Sequence, residues 1–383
     1  MAEKGLTKVE QIYNDKGSLA KERIKKGEKI FGYFCTFAPV ELLTAAGVIP
    51  YRITGKVSET IKEADAYIET IMCPYVRNCF DQAIKGGDYS FLDGFIVPHA
   101  CDNIVKIYDI WKYNLKPKYT HFLNMPHCTN DASLEFLSSE LNMFKKSLEK
   151  HTGKEITNDK LNEAIKLHND QRALVKELYD LRKQDPPLIT GTEVIKVIVS
   201  ITKIPVQEGN ELLKEVIAEI KGRASSPVKK LPRVLVYGPE IDDALFIQMI
   251  EETGSNVVID DICLGTRSFW FNVEETQDPI AGIAKAYLVD INCPRTYRQR
   301  TGSRQDDLEA RFGYIRKFAE DFKADGIFLY TIMYCDNYEF DAVDIKDYMD
   351  KAGFPGFIVE GDYTEMSIQW LKTRVQAFLE MIA

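Results

Sequence analysis

The chain carries eight cysteines, Cys35, Cys73, Cys79, Cys101, Cys128, Cys263, Cys293 and Cys335. Several stand beside a proline, an aspartate or a glycine: Cys73 in MCPYVRNC, Cys101 in HACD, Cys263 in DICLGT, Cys293 in INCPR and Cys335 in YCDNY. A cysteine used only for packing sits inside an apolar run, whereas these fall where strands end and turns begin. Together they point to metal binding. Zinc fingers use tight C-x2-C pairs, which this sequence lacks. Iron–sulfur clusters take thiolates from distant segments that a fold brings together. With Cys73 and Cys101 from one half of the chain and Cys335 from the other, a cubane held by three thiolates keeps one iron open for substrate, in a cleft between domains.

Other motifs carry less. GxGxxG, the P-loop, GxSxG and HExxH are all absent, which removes the usual fingerprints of dinucleotide binding, ATP hydrolysis, serine-hydrolase chemistry and zincin sites. The histidines form no recognisable triad, and His99, beside Cys101, is the one expected near a site. Glu41 opens a helix after Pro39, a position that the helix dipole favours for a carboxylate, and is the candidate catalytic residue. Cys79, six positions after Cys73, fits the core of a helix. Cys35 and Cys128 have no flanking signal beyond their strand ends.

The elements that must position these residues follow from periodicity. FGYFCTFAPVELLTAAGVIPYRI, from Phe31, reads as strand, helix, strand. The runs Phe91–Asp102 and Lys118–Thr129 read as buried strands whose carboxyl ends, where ligands sit in parallel α/β sheets, carry His99, Cys101 and Cys128. From Asn130 the pattern turns helical, with Leu134, Leu137, Leu141, Phe144 and Leu148 on one face. Further helices run from about Asn158 to Lys183, stopped by Pro186 and Pro187, and from Glu208 to Lys221. Gly222–Pro232 reads as a linker. Beyond it a second α/β unit includes a strand over Ala324–Asp336 and ends in a helix.

The fold class expected is α/β, with two Rossmann-like parallel-sheet domains and a helical section between them. The divisions are an N-terminal helical arm at 1–30, a first α/β domain at 31–130, the helical section at 131–228 and a second α/β domain at 229–383. At 383 residues, with 45% hydrophobic and 28% charged residues, the composition is that of a packed globular protein. The formal charge of -9 argues against a nucleic-acid backbone as partner. Neither a secretory signal nor a membrane-spanning run is apparent, so a cytoplasmic protein is expected.

At the cysteine contexts the sequence resembles a known family. FGYFCTFAPVELLTAAGVIPYR, MCPYVRNCFDQA, FLDGFIVPHACDNI, DDICLGTR, GIFLYTIMYCDNYEFD, the late GDY turn and the terminal TRVQAFLEM helix occur in order over nearly the whole chain. They resemble the D component of 2-hydroxyacyl-CoA dehydratases and ATP-dependent benzoyl-CoA reductases. The resemblance implies a 4Fe-4S cluster on Cys73, Cys101 and Cys335. It also implies a related second subunit, in a heterodimer or with a second copy in a homodimer, and a separate ATP-hydrolysing iron–sulfur activator that injects single electrons. The reaction implied is a one-electron reduction of an acyl-CoA thioester to a ketyl radical anion, followed by loss of a 2-hydroxyl group or by reduction of an aromatic ring.

Some relatives of this kind hold a double-cubane 8Fe-9S cluster on six cysteines. Here Cys263, Cys293 and Cys79 are the further thiols for such a cluster, although the cysteine expected between the CPY and CD motifs is not at its usual spacing. Two alternatives therefore stay open beside the acyl-CoA enzyme: a double-cubane reductase of small molecules without coenzyme A, and a non-enzymatic α/β binding protein whose cysteines are simply buried.

Overall fold

The computed structural model describes residues 4–85, 87–223, 228–299 and 302–383. Two four-stranded parallel sheets organise it. The first contains β1 (Lys29–Tyr33), β2 (Val48–Arg52), β3 (Gly94–Pro98) and β4 (Tyr119–Leu123), in the order β2-β1-β3-β4. The second contains β5 (Arg233–Tyr237), β6 (Asn256–Asp261), β7 (Gly326–Ile332) and β8 (Gly356–Gly361), in the order β6-β5-β7-β8. The two orders are the same, so the two α/β units share one topology. Every residue of β3, β5, β6 and β7 is buried, as strands covered by helices on both faces should be. In each sheet the winding reverses direction, between β1 and β3 and between β5 and β7, and the crevice beyond the carboxyl ends at such a point is where open α/β sheets bind ligands.

The strand over Ala324–Asp336 is shorter than its apolar run suggests. It stops at Ile332 because Tyr334 takes a left-handed backbone (φ 65°), turning the chain so that Cys335 leads into the helix Asp336–Lys351.

Four helices fill the section between the sheets: Asp131–Thr152, Asn158–Asp180, Gly191–Ile201 and Val206–Lys221. The sequence reading assigns none to Gly191–Ile201. Its Val and Ile residues favour a strand, yet Thr190 and Glu193 close a capping box at its start, a local signal that outweighs the propensity. The helix Gly5–Tyr13 packs on Gly191–Ile201 and Val206–Lys221. Residues 224–227 of the expected linker lie outside the described residues.

Buried cations tie the parts together. Arg182 reaches Asp260 of β6 at 3.4 Å, and Arg233 of β5 donates to the carbonyls of Arg182, Gln184 and Phe322. Among the described residues no helix is long and apolar enough to cross a membrane.

Candidate functional site

The loops leaving the two reversal points face one another, and the cavity between them is lined by Cys35, Cys73, Cys101, Cys263, Cys293 and Cys335. Three of these thiols share one local device. Cys101 caps the N-terminus of the helix Asp102–Leu115 and Cys335 that of Asp336–Lys351, while Cys73 directly precedes the helix Pro74–Lys85. Pro74 stands at a first-turn position whose missing N–H no helix bond needs. Backbone N–H groups are aimed at each sulfur: from Tyr75 and Val76 to Cys73, from Asn103 and Ile104 to Cys101, and from Tyr338 to Cys335. The exposed N–H groups of a helix N-terminus favour a thiolate.

The other three arrive differently. Cys35 lies two residues beyond β1 in a left-handed conformation, φ 63°, which costs a non-glycine residue about 1 to 3 kcal/mol. Cys263 follows β6; its Sγ is 3.3 Å from Tyr338 Oη and 3.5 Å from Arg267 Nη1. Cys293 precedes Pro294, and the backbone N–H of Arg295 points at its sulfur. Asn103 links three of the loops: its Oδ1 accepts from Cys73 N at 3.2 Å and its Nδ2 donates to the carbonyl of Tyr334 at 3.4 Å.

Burial in an apolar setting disfavours the charged form of every one of these thiols. It pushes Cys73 and Cys263 up to about 11 and Cys101 to about 12, and raises Cys35, Cys293 and Cys335 as well. They are neutral thiols unless positive charge enters the cavity. Two further groups point to such an occupant. Arg295, also on the wall, has Nε and Nη1 buried without a partner, and Glu240 has an orphaned Oε1. Iron would supply the charge that turns the thiols into thiolates, and a cluster with its thiolates would give the Arg295 guanidinium a negative counterpart. Among the described residues no three His, Cys, Asp or Glu side chains are grouped tightly enough for a single ion. The thiols instead ring a volume of about 80 Å³, so this donor set fits a multi-iron cluster better than a mononuclear metal.

The structure thus brings Cys73, Cys101 and Cys335 together and adds Cys263 and Cys293. Cys79 is not on the wall. It is fully buried within its helix, beside Tyr75, and the remaining place is taken by Cys35, whose signal in the sequence is only its position at a strand end. Cys128 bridges to Tyr297 and is absent from the wall. His99 stacks edge-on with His127, ring centroids 4.9 Å apart, and is also absent from it. Glu41 is fully buried elsewhere, Oε1 accepting from Arg172 Nη2 at 2.5 Å and Oε2 from Tyr287 Oη at 2.8 Å. Burial opposes its charge, but Arg172 and the hydrogen bonds hold its carboxyl below the usual range. Both oxygens are taken, which is the geometry of a structural carboxylate. Sequence reasoning overlooked Glu240, and it overlooked Arg267, Arg295, Tyr338 and Asn103 although these four lie inside the quoted cysteine motifs, because attention there went to the thiols.

A duplicated parallel α/β fold whose sheet reversal points converge on a ring of cysteines defines a class of two-lobed proteins built around a thiol-lined cleft. Within that class the chain belongs to the family of the D component of 2-hydroxyglutaryl-CoA dehydratase, which it matches over residues 35–382. It is 26% identical over 372 residues to the (R)-phenyllactyl-CoA dehydratase beta subunit of Clostridium sporogenes, covering 97% of this chain and 96% of the relative. It is 28% identical over 368 residues to a putative dehydratase subunit of Escherichia coli, covering 94% and 92% of the two chains. It is 25% identical over 380 residues to a benzoyl-CoA reductase subunit of Thauera aromatica, covering 97% and 96%. These relatives are subunits of lyases and of an oxidoreductase, and this chain is of the same enzyme type.

Proposed function

We propose that the cysteine ring holds an iron–sulfur cluster of the double-cubane 8Fe-9S type, and that the chain uses it to reduce a substrate with single electrons delivered by a separate ATP-hydrolysing iron–sulfur activator. The observation that carries this reading is the convergence of six thiols on one cavity. A 4Fe-4S cubane has four irons and takes at most four thiolates, so a ring of this size exceeds its needs. When bound, such a cluster supplies electrons of low potential. The protein's own part is to hold the thiolates at helix N-termini, to present Arg267 and Arg295 as compensating charge, and to keep water out with Phe37, Ile104 and Ile332.

The second reading is the cluster-bearing subunit of an acyl-CoA dehydratase or benzoyl-CoA-type reductase, with a 4Fe-4S cluster on Cys73, Cys101 and Cys335 and a related second subunit. The full-length match to subunits of acyl-CoA enzymes favours it. Here the cysteines beyond the trio are packing residues around a smaller cluster.

Anaerobic purification, counting of iron and acid-labile sulfide, electron paramagnetic resonance after dithionite and calorimetric titration with benzoyl-CoA separate the two. About eight irons per chain, with no thioester binding, supports the first reading, and about four with thioester binding supports the second. A folded, colourless chain that takes up no iron on reconstitution overturns both and leaves a binding protein with buried cysteines.

A further inference from the structure

A second cavity lies directly behind the wall of the thiol ring. Neighbouring residues face opposite sides: Cys35 and Cys263 line the thiol cavity, while Thr36 and Leu264 line the one behind it. Its polar wall comes from three parts of the chain, Arg52 at the end of β2, His168, Gln171 and Arg172 on the helix Asn158–Asp180, and Ser268 in the second domain. Ile201, Ile204, Leu264 and Phe271 supply an apolar side.

Two donors in this wall have nothing to donate to. Arg52 Nε and Gln171 Nε2 are both buried without a hydrogen-bond partner, on residues that are 1% and 6% exposed. A buried unsatisfied donor costs about 1 to 3 kcal/mol, so a pair of them on residues that line one chamber calls for an acceptor. The charged side chains on the wall itself are cationic. Among the described residues Arg52 and Arg172 line the cavity and no aspartate or glutamate does; the ion-pair partners of the two arginines, Glu240 and Glu41, are not on this wall. His168 adds no charge near neutral pH, because burial lowers it to about 4, and its Nε2 lies 2.9 Å from Thr44 Oγ1. The chamber has a volume of about 60 Å³, several times the roughly 10–15 Å³ that a single water needs.

We propose that this chamber binds a short-chain carboxylate, whose oxygens accept from Arg52 Nε and Gln171 Nε2 and whose alkyl end packs on Ile201, Ile204 and Phe271. The site is separate from the thiol ring but one ion pair away from it. Arg52 Nη2 donates to Glu240 Oε2 at 2.6 Å, and the other oxygen of that carboxylate is the orphan on the thiol-cavity wall. Occupancy of the rear chamber therefore fixes the guanidinium that holds Glu240.

The test is calorimetric titration of the anaerobically purified full-length protein with acetate at constant ionic strength, beside acetamide, benzoate and chloride. Acetate is expected to bind, acetamide and benzoate at least ten-fold more weakly, the first lacking charge and the second too large. Gln171→Leu, which keeps the volume and removes the orphan donor, should weaken acetate at least ten-fold without lowering thermal stability. Should that variant not fold, Gln171→Glu keeps the side-chain length and sets a negative charge against the anion. The proposal is overturned if acetate gives no more heat than chloride, if benzoate or acetamide binds as well as acetate, or if acetate affinity survives the Gln171 substitution.

Discussion

Arg52 and Glu240 form a buried ion pair, Nη2 to Oε2 at 2.6 Å, between the last residue of β2 in one sheet and the loop that leaves β5 in the other. The side chains are 2% and 7% exposed, and the Arg52 guanidinium also lies over the Tyr33 ring, 5.5 Å from its centroid. The pair joins the two lobes at the wall of the thiol cavity. Taking both charges out of water consumes much of their mutual attraction, so the larger effect appears when one is left alone.

Glu240→Gln should accordingly destabilise the protein by about 3 to 5 kcal/mol, because it strands the Arg52 cation in the interior. The double substitution Arg52→Met with Glu240→Leu should cost less than Arg52→Met and Glu240→Leu made singly and added together. Denaturant midpoints of the single and double variants, taken anaerobically, measure the coupling. Strict additivity would show that the pair contributes nothing specific to the join.

Cys35 and Cys79 should behave in opposite ways although both are cysteines in the first lobe. Cys35 faces the cavity and Cys79 is buried in the helix core. Cys35→Ser should lower the iron content and the visible absorbance of the anaerobic protein. Cys79→Ser should leave both unchanged while costing about 1 to 3 kcal/mol for desolvating a hydroxyl in a fully buried position. Bleaching of the Cys79 variant with retention of iron in the Cys35 variant would reverse the assignment of the ring.

The contrast between those two residues shows what a sequence can disclose. The parallel strands were legible because their apolar runs are short and their ends carry Pro, Asp and Cys, so Cys73, Cys101 and Cys335 stood out at turns. Cys35 did not stand out, because its route into the cavity depends on one left-handed residue after β1, and FCTF has no glycine or asparagine to suggest it. Cys79 follows Cys73 closely in sequence, yet the helix that begins at Pro74 carries it into the core. Arg52, Glu240 and Arg295 were invisible for a different reason. Arg52 and Arg295 lie in segments that drew notice for their cysteines, and only the packing of the two sheets shows that these side chains, with that of Glu240, reach the site. The helix Gly191–Ile201 was hidden by β-branched composition, although Thr190 and Glu193 marked its start.

Glu41 should prove a structural residue. Both of its oxygens are engaged, by Arg172 and Tyr287, and it does not line the thiol cavity. Glu41→Gln is expected to lower stability by about 3 kcal/mol or more, since Arg172 loses its buried counterion, while iron content per folded chain stays at the wild-type value. A variant of full stability with abolished turnover would instead return Glu41 to a catalytic role.

The response to pH between 7 and 5 should carry the signature of His168. Burial, reinforced by the nearby Arg172 and opposed by Glu41, lowers its folded-state value to about 4, against about 6.5 in an unfolded chain. As pH falls below the unfolded value, the unfolded chain binds a proton that the folded chain refuses, so stability must fall with it. Integrated from pH 7 to pH 5, this one group removes about 2 kcal/mol. His121, lowered by burial to about 4 as well, adds in the same direction. His168→Gln, which can keep a hydrogen bond to Thr44, takes the His168 contribution away. Denaturant midpoints at pH 7, 6 and 5 should therefore converge in the variant by about 2 kcal/mol relative to the wild type, and equal slopes in the two proteins would mean that His168 titrates freely in the folded state.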